Sequence, residues 1–128
     1  QQHRFLVRGP IAERVFEQKA VLVRARDMVA LEGVTISDAA APADYHHFAI
    51  ASHGCVIANG AVAETLYPGP MALAALTAEA RAELVALFGA DELARLHADA
   101  PIPPVAGRRA RRMIERHAAN NKPLVTPA

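Results

Sequence analysis

The sequence predicts a mixed α and β fold, in which a β-rich N-terminal half precedes a helical C-terminal region. The first observation is the alternation of side chains with a period of two over residues 45–51. The second is the apolar run Cys55–Ala58, which stops at Asn59-Gly60, a dipeptide that favours a two-residue hairpin turn. The third is the change to a helical period after Pro70.

The N-terminal half contains further short apolar runs that predict strands and brief helical turns. Gly9-Pro10 and the residues 39–43 are typical of turns and loops. We expect strands at Arg4–Arg8, Val21–Val23 and Val34–Ile36, helical turns at 11–16 and 26–30, and a further strand at 45–51 ahead of the hairpin.

The C-terminal half predicts three helical segments. Thr77 is a candidate N-cap with Glu79 in the first turn, and the helix should end at Gly89. Its apolar residues form one stripe that we interpret as core packing, and a second helix should bury two leucines. A proline-rich run then stops regular structure before a last helix at about 106–119. The apolar stripe of the first of these helices consists of Ala80, Leu84, Leu87 and Phe88. The second helix is Asp91–Ala98, and its two leucines are Leu93 and Leu96. The proline-rich run is 101–104.

Length and composition indicate one globular domain or part of one. The chain has 128 residues, of which 52% are hydrophobic, and a mass of 13.6 kDa. A formal charge of +1 does not require a polyanionic partner, and no apolar run approaches the roughly 20 residues that span a bilayer. The single cysteine, Cys55, excludes an internal disulfide. We therefore expect no nucleic-acid partner, no membrane partner and no cofactor.

Residues 44–66 hold three of the six histidines and the cysteine. Tyr45 stands eight residues before His53, and the chain continues from His53 as His-Gly-Cys-Val-Ile-Ala-Asn-Gly. This stretch resembles the last conserved block of the Hint (hedgehog/intein) superfamily. In that block a Tyr-Asp-Leu strand is followed by a histidine and then by Phe-x-Ala-Asn-Gly.

Both ends of the chain extend the resemblance. The start, Gln2-His3-Arg4 followed by an apolar strand, is similar to the Ser-Pro-Gln-His-Arg block of bacterial Hint proteins, which carries the histidine of a Thr/Ser-x-x-His motif. Residues 62–69 and two stretches near the C-terminus, 108–113 and 120–124, resemble the tail of the same subfamily. The resemblance implies that residues 1–67 are the second half of a Hint β fold and that residues 68–128 are a helical region.

The resemblance also implies an activity, namely autocatalytic cleavage of the peptide bond that precedes the complete domain, through an N-to-S or N-to-O acyl shift. Histidine suits the proton transfers of such a reaction because its pKa is near neutrality. By resemblance, His3 polarises or protonates the scissile amide, and His53 supports a later proton transfer or orients the strand. His47 matches a Tyr-x-His pattern of the bacterial subfamily. The substrate would be the chain's own upstream polypeptide.

Three departures from the family pattern limit this expectation. His46 stands where inteins have an aspartate after the tyrosine, and Glu64-Thr65 stands instead of the intein His-Asn, so splicing is not expected. The required N-terminal Cys or Ser would lie before residue 1, since the motif's Thr or Ser would sit three residues ahead of His3. We therefore interpret the chain as a fragment that lacks the N-terminal half of its domain and is inactive by itself.

Two other classes of function stay open, a catalytically silent binding or structural module and a zinc-binding protein. A zinc site of His47, His53 and Cys55 is conceivable because the three share the parity of one strand face. Our preferred interpretation has no metal and treats Cys55 as a small core residue. The arginines of the last helix, interrupted by Glu115 and without aromatic neighbours, are typical of a solvated face.

Overall fold

The computed structural model describes residues 3–38, 41, 42, 44, 46, 48–98 and 102–127, and for residues 96–98 it describes the backbone alone.

A mixed sheet of five strands is formed by segments from both the N-terminal and the C-terminal part of the chain. The described residues form strands in the order β3-β4-β1-β2-β5; β5 is parallel to β2 and the other neighbours are antiparallel. The strands are β1 Arg4–Arg8, β2 Ala20–Arg24, β3 Cys55–Ala58, β4 Ala61–Glu64 and β5 Pro104–Val105.

Helices connect and follow these strands. The helices are α1 Pro10–Phe16, α2 Pro70–Ala75, α3 Ala78–Phe88, α4 Ala90–Ala98 and α5 Gly107–Ala119, and a 3₁₀ turn spans Ala25–Asp27. The mixed α and β fold class predicted from the sequence is confirmed. None of the helices in the described ranges is both long enough and apolar enough to cross a membrane.

The chain divides into two compact units that interleave along the sequence. One unit comprises residues 1–45, 55–64 and 102–128, and the other comprises 46–54 and 65–101. The predicted division at residue 67 stays a prediction, since units defined by spatial contacts need not coincide with domains.

The core of the first unit lies between one face of the sheet and helices α1 and α5. Phe5 opposes Val23 and Val7 opposes Val21 across β1 and β2, so these side chains point to the same face. They pack with Ala12 of α1 and with three buried residues of α5, which are Ala110, Met113 and Ile114. Burial of this face is the main apolar stabilisation of the unit.

The C-terminal segment runs beside β1 and depends on a glycine. The Arg8 amide donates to the Leu124 carbonyl at 2.8 Å, and the Thr126 amide donates to the Arg8 carbonyl at 2.9 Å. Gly9 has φ 140°, and a Cβ there would lie 2.7 Å from the Thr126 hydroxyl oxygen. Only glycine fits this close approach without a shift of the neighbouring chain.

The Asn59-Gly60 hairpin is confirmed. Both residues have positive φ, 48° and 80°, as a type I′ turn requires. The turn closes the pair Ala58–Ala61 and fixes the register that sets Cys55 opposite Glu64. Among the described strands, β3 lies at one edge of the sheet.

Two predicted strands are wrong. Residues 34–36 follow a turn at Gly33 and pair with no described strand; Ile36 is 70% exposed. In the predicted strand 45–51, the described residues have no strand pairing either, and Phe48 is 66% exposed. Tyr45 and His47 lie outside the described residues. A β-prone run forms a strand only where a neighbouring strand accepts its hydrogen bonds.

The second unit contains helices α2, α3 and α4. The Thr77 hydroxyl accepts a hydrogen bond from the Ala80 amide, and α3 ends at Gly89, both as predicted. The Arg81 guanidinium donates to the Leu73 carbonyl and links α3 to α2. The core-packing interpretation of the α3 stripe is wrong for Leu87, which is 71% exposed at the margin of the half-buried row Ala80, Leu84 and Phe88. Leu93 of α4 is buried as predicted, whereas the Leu96 side chain lies outside the description.

A buried carboxylate, Asp27, joins the sheet to α5. Its Oδ2 accepts from Arg24 at 3.0 and 3.1 Å and from the Gly107 amide at 3.4 Å, and its Oδ1 accepts from Arg111 at 3.0 Å. Burial alone would raise the pKa of Asp27, but these hydrogen bonds and the Arg24 charge hold the pKa below the usual 3.8.

Replacing Asp27 should therefore destabilise the fold in a pH-dependent way. Asp27→Asn removes the negative charge and leaves Arg24 without its partner, so we expect a loss of about 3 kcal/mol in the free energy of unfolding at neutral pH. Because the folded pKa is lowered, the stabilisation is present above the unfolded pKa of 3.8 and is lost as pH falls through the folded value. Urea unfolding at a series of pH values measures both effects.

The matched control is Asp38→Asn, since Asp38 is exposed. This change should alter stability by less than about 0.5 kcal/mol at every pH. Equal losses in the two variants, or an Asp27→Asn loss that persists unchanged in acid, would contradict the assigned role.

Candidate functional site

His3 lies at the entry to β1. Its carbonyl accepts a hydrogen bond from the Ala25 amide at 2.9 Å, which extends the β1–β2 ladder by one step. The residue is half-buried. The backbone of this predicted catalytic residue is therefore fixed by the sheet.

An ion pair anchors the next residue. The Arg4 guanidinium donates to the Glu64 carboxylate across β1 and β4, and the two side chains are 21% and 10% exposed. Cys55 pairs with Glu64, and Arg24 pairs with Arg4, so all four side chains share the face opposite the apolar core. They form a polar row that crosses four strands.

Sequence reasoning missed this polar row, although part of it was accessible. A two-residue turn at Asn59-Gly60 fixes the hairpin register, and that register sets Cys55 opposite Glu64. The neighbouring strand, and hence the partner Arg4, cannot be derived from the hairpin alone.

Cys55 is not an activated thiol. Burial raises the pKa of Cys55 above its ordinary 9.0, and the Glu64 charge raises it further. A raised pKa lowers the thiolate fraction at neutral pH and hence the nucleophilicity. Cys55 is half-buried in β3 on the face opposite the apolar core, so its interpretation as a small core residue is wrong.

His53 lies in the second unit, where its ring meets Tyr67. The ring centroids are 5.1 Å apart with an interplanar angle of 63°, an edge-to-face contact. The Leu66 amide, between Thr65 and Tyr67, donates to the Phe48 carbonyl. Phe48, before His53, and the His53 ring itself therefore both contact the segment that follows β4, through Leu66 and Tyr67.

A buried threonine holds the residue after His53. Thr65 is 1% exposed; its hydroxyl accepts from the Gly54 amide at 3.0 Å and lies 3.1 Å from the Gly54 carbonyl, which it can reach as a donor. The Thr65 amide also donates to the Gly54 carbonyl at 2.8 Å. Thr65 thus satisfies both backbone polar groups of Gly54.

The three predicted site residues are not brought together in one described unit. His3 belongs to the first unit, His53 belongs to the second, and His47 lies outside the described residues. His46 is exposed. The roles assigned to His3, His53 and His47 stay predictions.

The described residues contain no group of three histidine, cysteine or acidic side chains placed to hold a metal ion. The zinc site considered above, His47 with His53 and Cys55, includes a residue that lies outside the described residues.

The first unit also has an open apolar groove of about 620 Å³ between β1, the residues after the 3₁₀ turn and the C-terminal segment. Among the described residues, those that line this groove carry no titratable side chain.

The structure is that of a small protein with a mixed sheet, in which one histidine, His3, precedes β1 and another, His53, precedes β3. Its cysteine, Cys55, has a raised pKa. Residues 1–70 match the family model of the Hint domain, and the chain belongs to this family. No curated protein and no solved structure gives a significant match.

The role of Thr65 can be tested by amide exchange. Thr65→Val removes the hydroxyl but keeps the shape and the residue 65 amide, so the Gly54 amide should exchange roughly five-fold faster because one hydrogen bond of about 1 kcal/mol is lost. Thr65→Ser retains the hydroxyl and should preserve Gly54 protection relative to the residue 65 amide. NMR hydrogen exchange gives both rates in one spectrum, and equal Gly54 behaviour in the two variants would count against the assignment.

Proposed function

We propose that this chain is the portion of an autoprocessing Hint domain that carries its proton-transferring histidine. The proposed activity is cleavage of the peptide bond that precedes the complete domain. The observation that carries the proposal is the position of His3. In this member of the family His3, which by resemblance is the block histidine, lies at the entry to a central strand. Its carbonyl accepts a hydrogen bond from the Ala25 amide, and the next residue, Arg4, pairs with Glu64.

In the proposed reaction the side chain of a Cys or Ser at the start of the complete domain attacks the carbonyl carbon of the preceding peptide bond. A carbon–sulfur or carbon–oxygen bond forms and the carbon–nitrogen bond breaks. The nucleophile releases its thiol or hydroxyl proton to solvent, and His3 as a general acid donates a proton to the leaving amine. The imidazole then regains a proton from solvent, so the number of protons is conserved. Water then hydrolyses the thioester or ester, or a second nucleophile accepts the acyl group.

His3 suits the acid role through the physical chemistry of its position. An imidazole can donate from either ring nitrogen and titrates near neutrality, so it can give and regain a proton in one cycle. A general acid must stay within hydrogen-bond reach of the leaving nitrogen. On the β2 side the Ala25 amide donates to the His3 carbonyl, and on the β4 side Glu64 pairs with the side chain of the next residue, Arg4.

Cleavage without splicing is the favoured outcome. Release of a downstream segment in inteins uses the side-chain amide nitrogen of a terminal asparagine, whereas this chain has Glu64-Thr65 there. Neither side chain has an amide nitrogen. Glu64 binds Arg4 and Thr65 binds Gly54, so both support the fold.

The test is mass spectrometry of the chain expressed with its native upstream sequence, as wild type and as His3→Ala. The wild type should yield two fragments. His3→Ala should leave an uncut chain or slow cleavage at least about 100-fold, the usual contribution of a general acid.

The matched control is His97→Ala, since His97 lies on α4, outside the residues that match the family. This variant should cleave like the wild type. An intact wild-type chain would overturn the proposal and favour a silent binding or structural module, and stoichiometric zinc lost in His47→Ala would favour a zinc-binding protein.

A further inference from the structure

Helix α5 concentrates the positive charge of the chain. It holds five arginines and one glutamate, a formal charge of +4, whereas the whole chain has +1, so the residues outside α5 together carry −3. The first turn of α5 contains arginines and no acidic residue. Cations are unfavourable at this end of a helix because the N-terminal end of the helix dipole is positive. The placement of these charges therefore costs stability.

Two of the five arginines stabilise the fold. The Arg109 guanidinium donates to the Val15 carbonyl, and its central carbon lies 4.9 Å from the centroid of the Phe16 ring. The Arg111 guanidinium donates to Asp27 at 3.0 Å. Packing against α1 and the pairing with Asp27 thus account for these two residues and leave three arginines to explain.

The other three arginines form one row along the outer face of α5. They are Arg108, Arg112 and Arg116, four residues apart, so successive members are about 6 Å apart along the helix axis. The row lies on the side of the helix opposite its buried residues, and all three side chains are exposed. Within the described ranges, these side chains form no hydrogen bond or ion pair. The arginine row is therefore a surface of unpaired positive charge.

The outer face of α5 lacks the side chains by which basic helices bind membranes or single-stranded nucleic acid. A helix that lies on a membrane inserts large apolar residues, and bases of a single strand stack on aromatic side chains. The large apolar residues of α5, Met113 and Ile114, are buried, and α5 has no aromatic residue apart from the buried His117. The exposed Glu115 beside the row would repel the closely spaced phosphates of a duplex. These features favour an acidic protein surface as the partner.

We propose that the arginine row binds an acidic helical segment of a partner protein, in which carboxylates recur at every fourth residue. Carboxylates with this spacing on a helix are also about 6 Å apart, so each can meet one arginine. Arginine and carboxylate form two parallel hydrogen bonds, which adds geometric specificity to the attraction. An open depression of about 430 Å³, lined by Arg112, Glu115 and Arg116 among others, gives such a segment room at the C-terminal end of the row.

Glu115 contributes specificity to this surface. It lies on the flank of the row, one residue before Arg116, and is exposed. A carboxylate of the partner that is displaced toward this flank meets a like charge, which disfavours other registers. The proposal is independent of the cleavage reaction, because it concerns the free face of α5 alone.

Fluorescence anisotropy of a labelled helical peptide with glutamates at every fourth position, titrated with the full chain at low salt, tests the proposal. Because an exposed ion pair contributes about 0.2–1 kcal/mol, Arg112→Gln should weaken binding by up to about 5-fold. The triple variant with Arg108, Arg112 and Arg116 all changed to Gln should weaken binding at least about 10-fold. The matched control is Arg14→Gln, which removes an exposed arginine of α1 and should bind like the wild type.

A second peptide of the same composition, with its glutamates grouped at successive positions, tests the spacing and should bind at least about 5-fold more weakly. The proposal is overturned if the two peptides bind equally, since the attraction is then non-specific. Binding by the triple variant at wild-type strength also overturns it. Tighter binding of a DNA duplex than of the regularly spaced peptide at the same salt concentration would replace the protein partner with a nucleic acid.

Discussion

The buried carboxylate of Asp27 is the interaction on which the first unit depends. Asp27 is 2% exposed, and a carboxylate removed from water is stable only when it is paired and hydrogen-bonded. Arg24 supplies two donors from the end of β2, Arg111 supplies one, and the first amide of α5 supplies another. A residue near the start of the chain is thereby bound to a helix near its end. The N-terminus of α5 adds a favourable dipole for the negative charge.

The same constraint extends to His3 through the polar row. Arg4 and Arg24 stand directly opposite each other on β1 and β2, a placement that repels unless each charge is compensated. Glu64 compensates Arg4 on one side and Asp27 compensates Arg24 on the other. From Glu64 to Asp27 the charges therefore run negative, positive, positive, negative, and each arginine is paired with its own carboxylate. The start of β1, which follows His3, lies within this set of ion pairs, and the apolar core lies on the opposite face of the sheet.

The sequence predicted correctly those features that are formed by residues close together in the chain, namely the hairpin turn and the two ends of α3. Asn59-Gly60 specified the hairpin, and Thr77 and Gly89 specified the ends of α3, because turns and caps are formed within a few residues. The strands expected at 34–36 and 45–51 do not form in the described residues, because strand formation depends on a distant partner. The two-residue strand β5 was missed within a proline-rich run, since its pairing to β2 is also long-range.

At the candidate site, too, the contacts between residues far apart in the chain could not be predicted from the sequence. Resemblance to the Hint family suggested roles for His3 and His53, which stay predictions, whereas the family assignment itself is shown by the match over residues 1–70. The supporting contacts were not predictable, because Asp27 binds partners 80 and 84 residues away and Arg4 binds a partner 60 residues away. No pattern within a short window indicates such pairs.

The most direct test of this account is native-state hydrogen exchange of the amides in β2, in α5 and at Ala25, which binds His3. If Asp27 joins the two ends of the chain, the Val21–Val23 and Met113–Ile114 amides and Ala25 should open with the same free energy and the same denaturant dependence. The unit would then unfold as one cooperative structure. Exchange of the α5 amides at a distinctly lower free energy, with the sheet still protected, would show that α5 opens independently and would contradict the account.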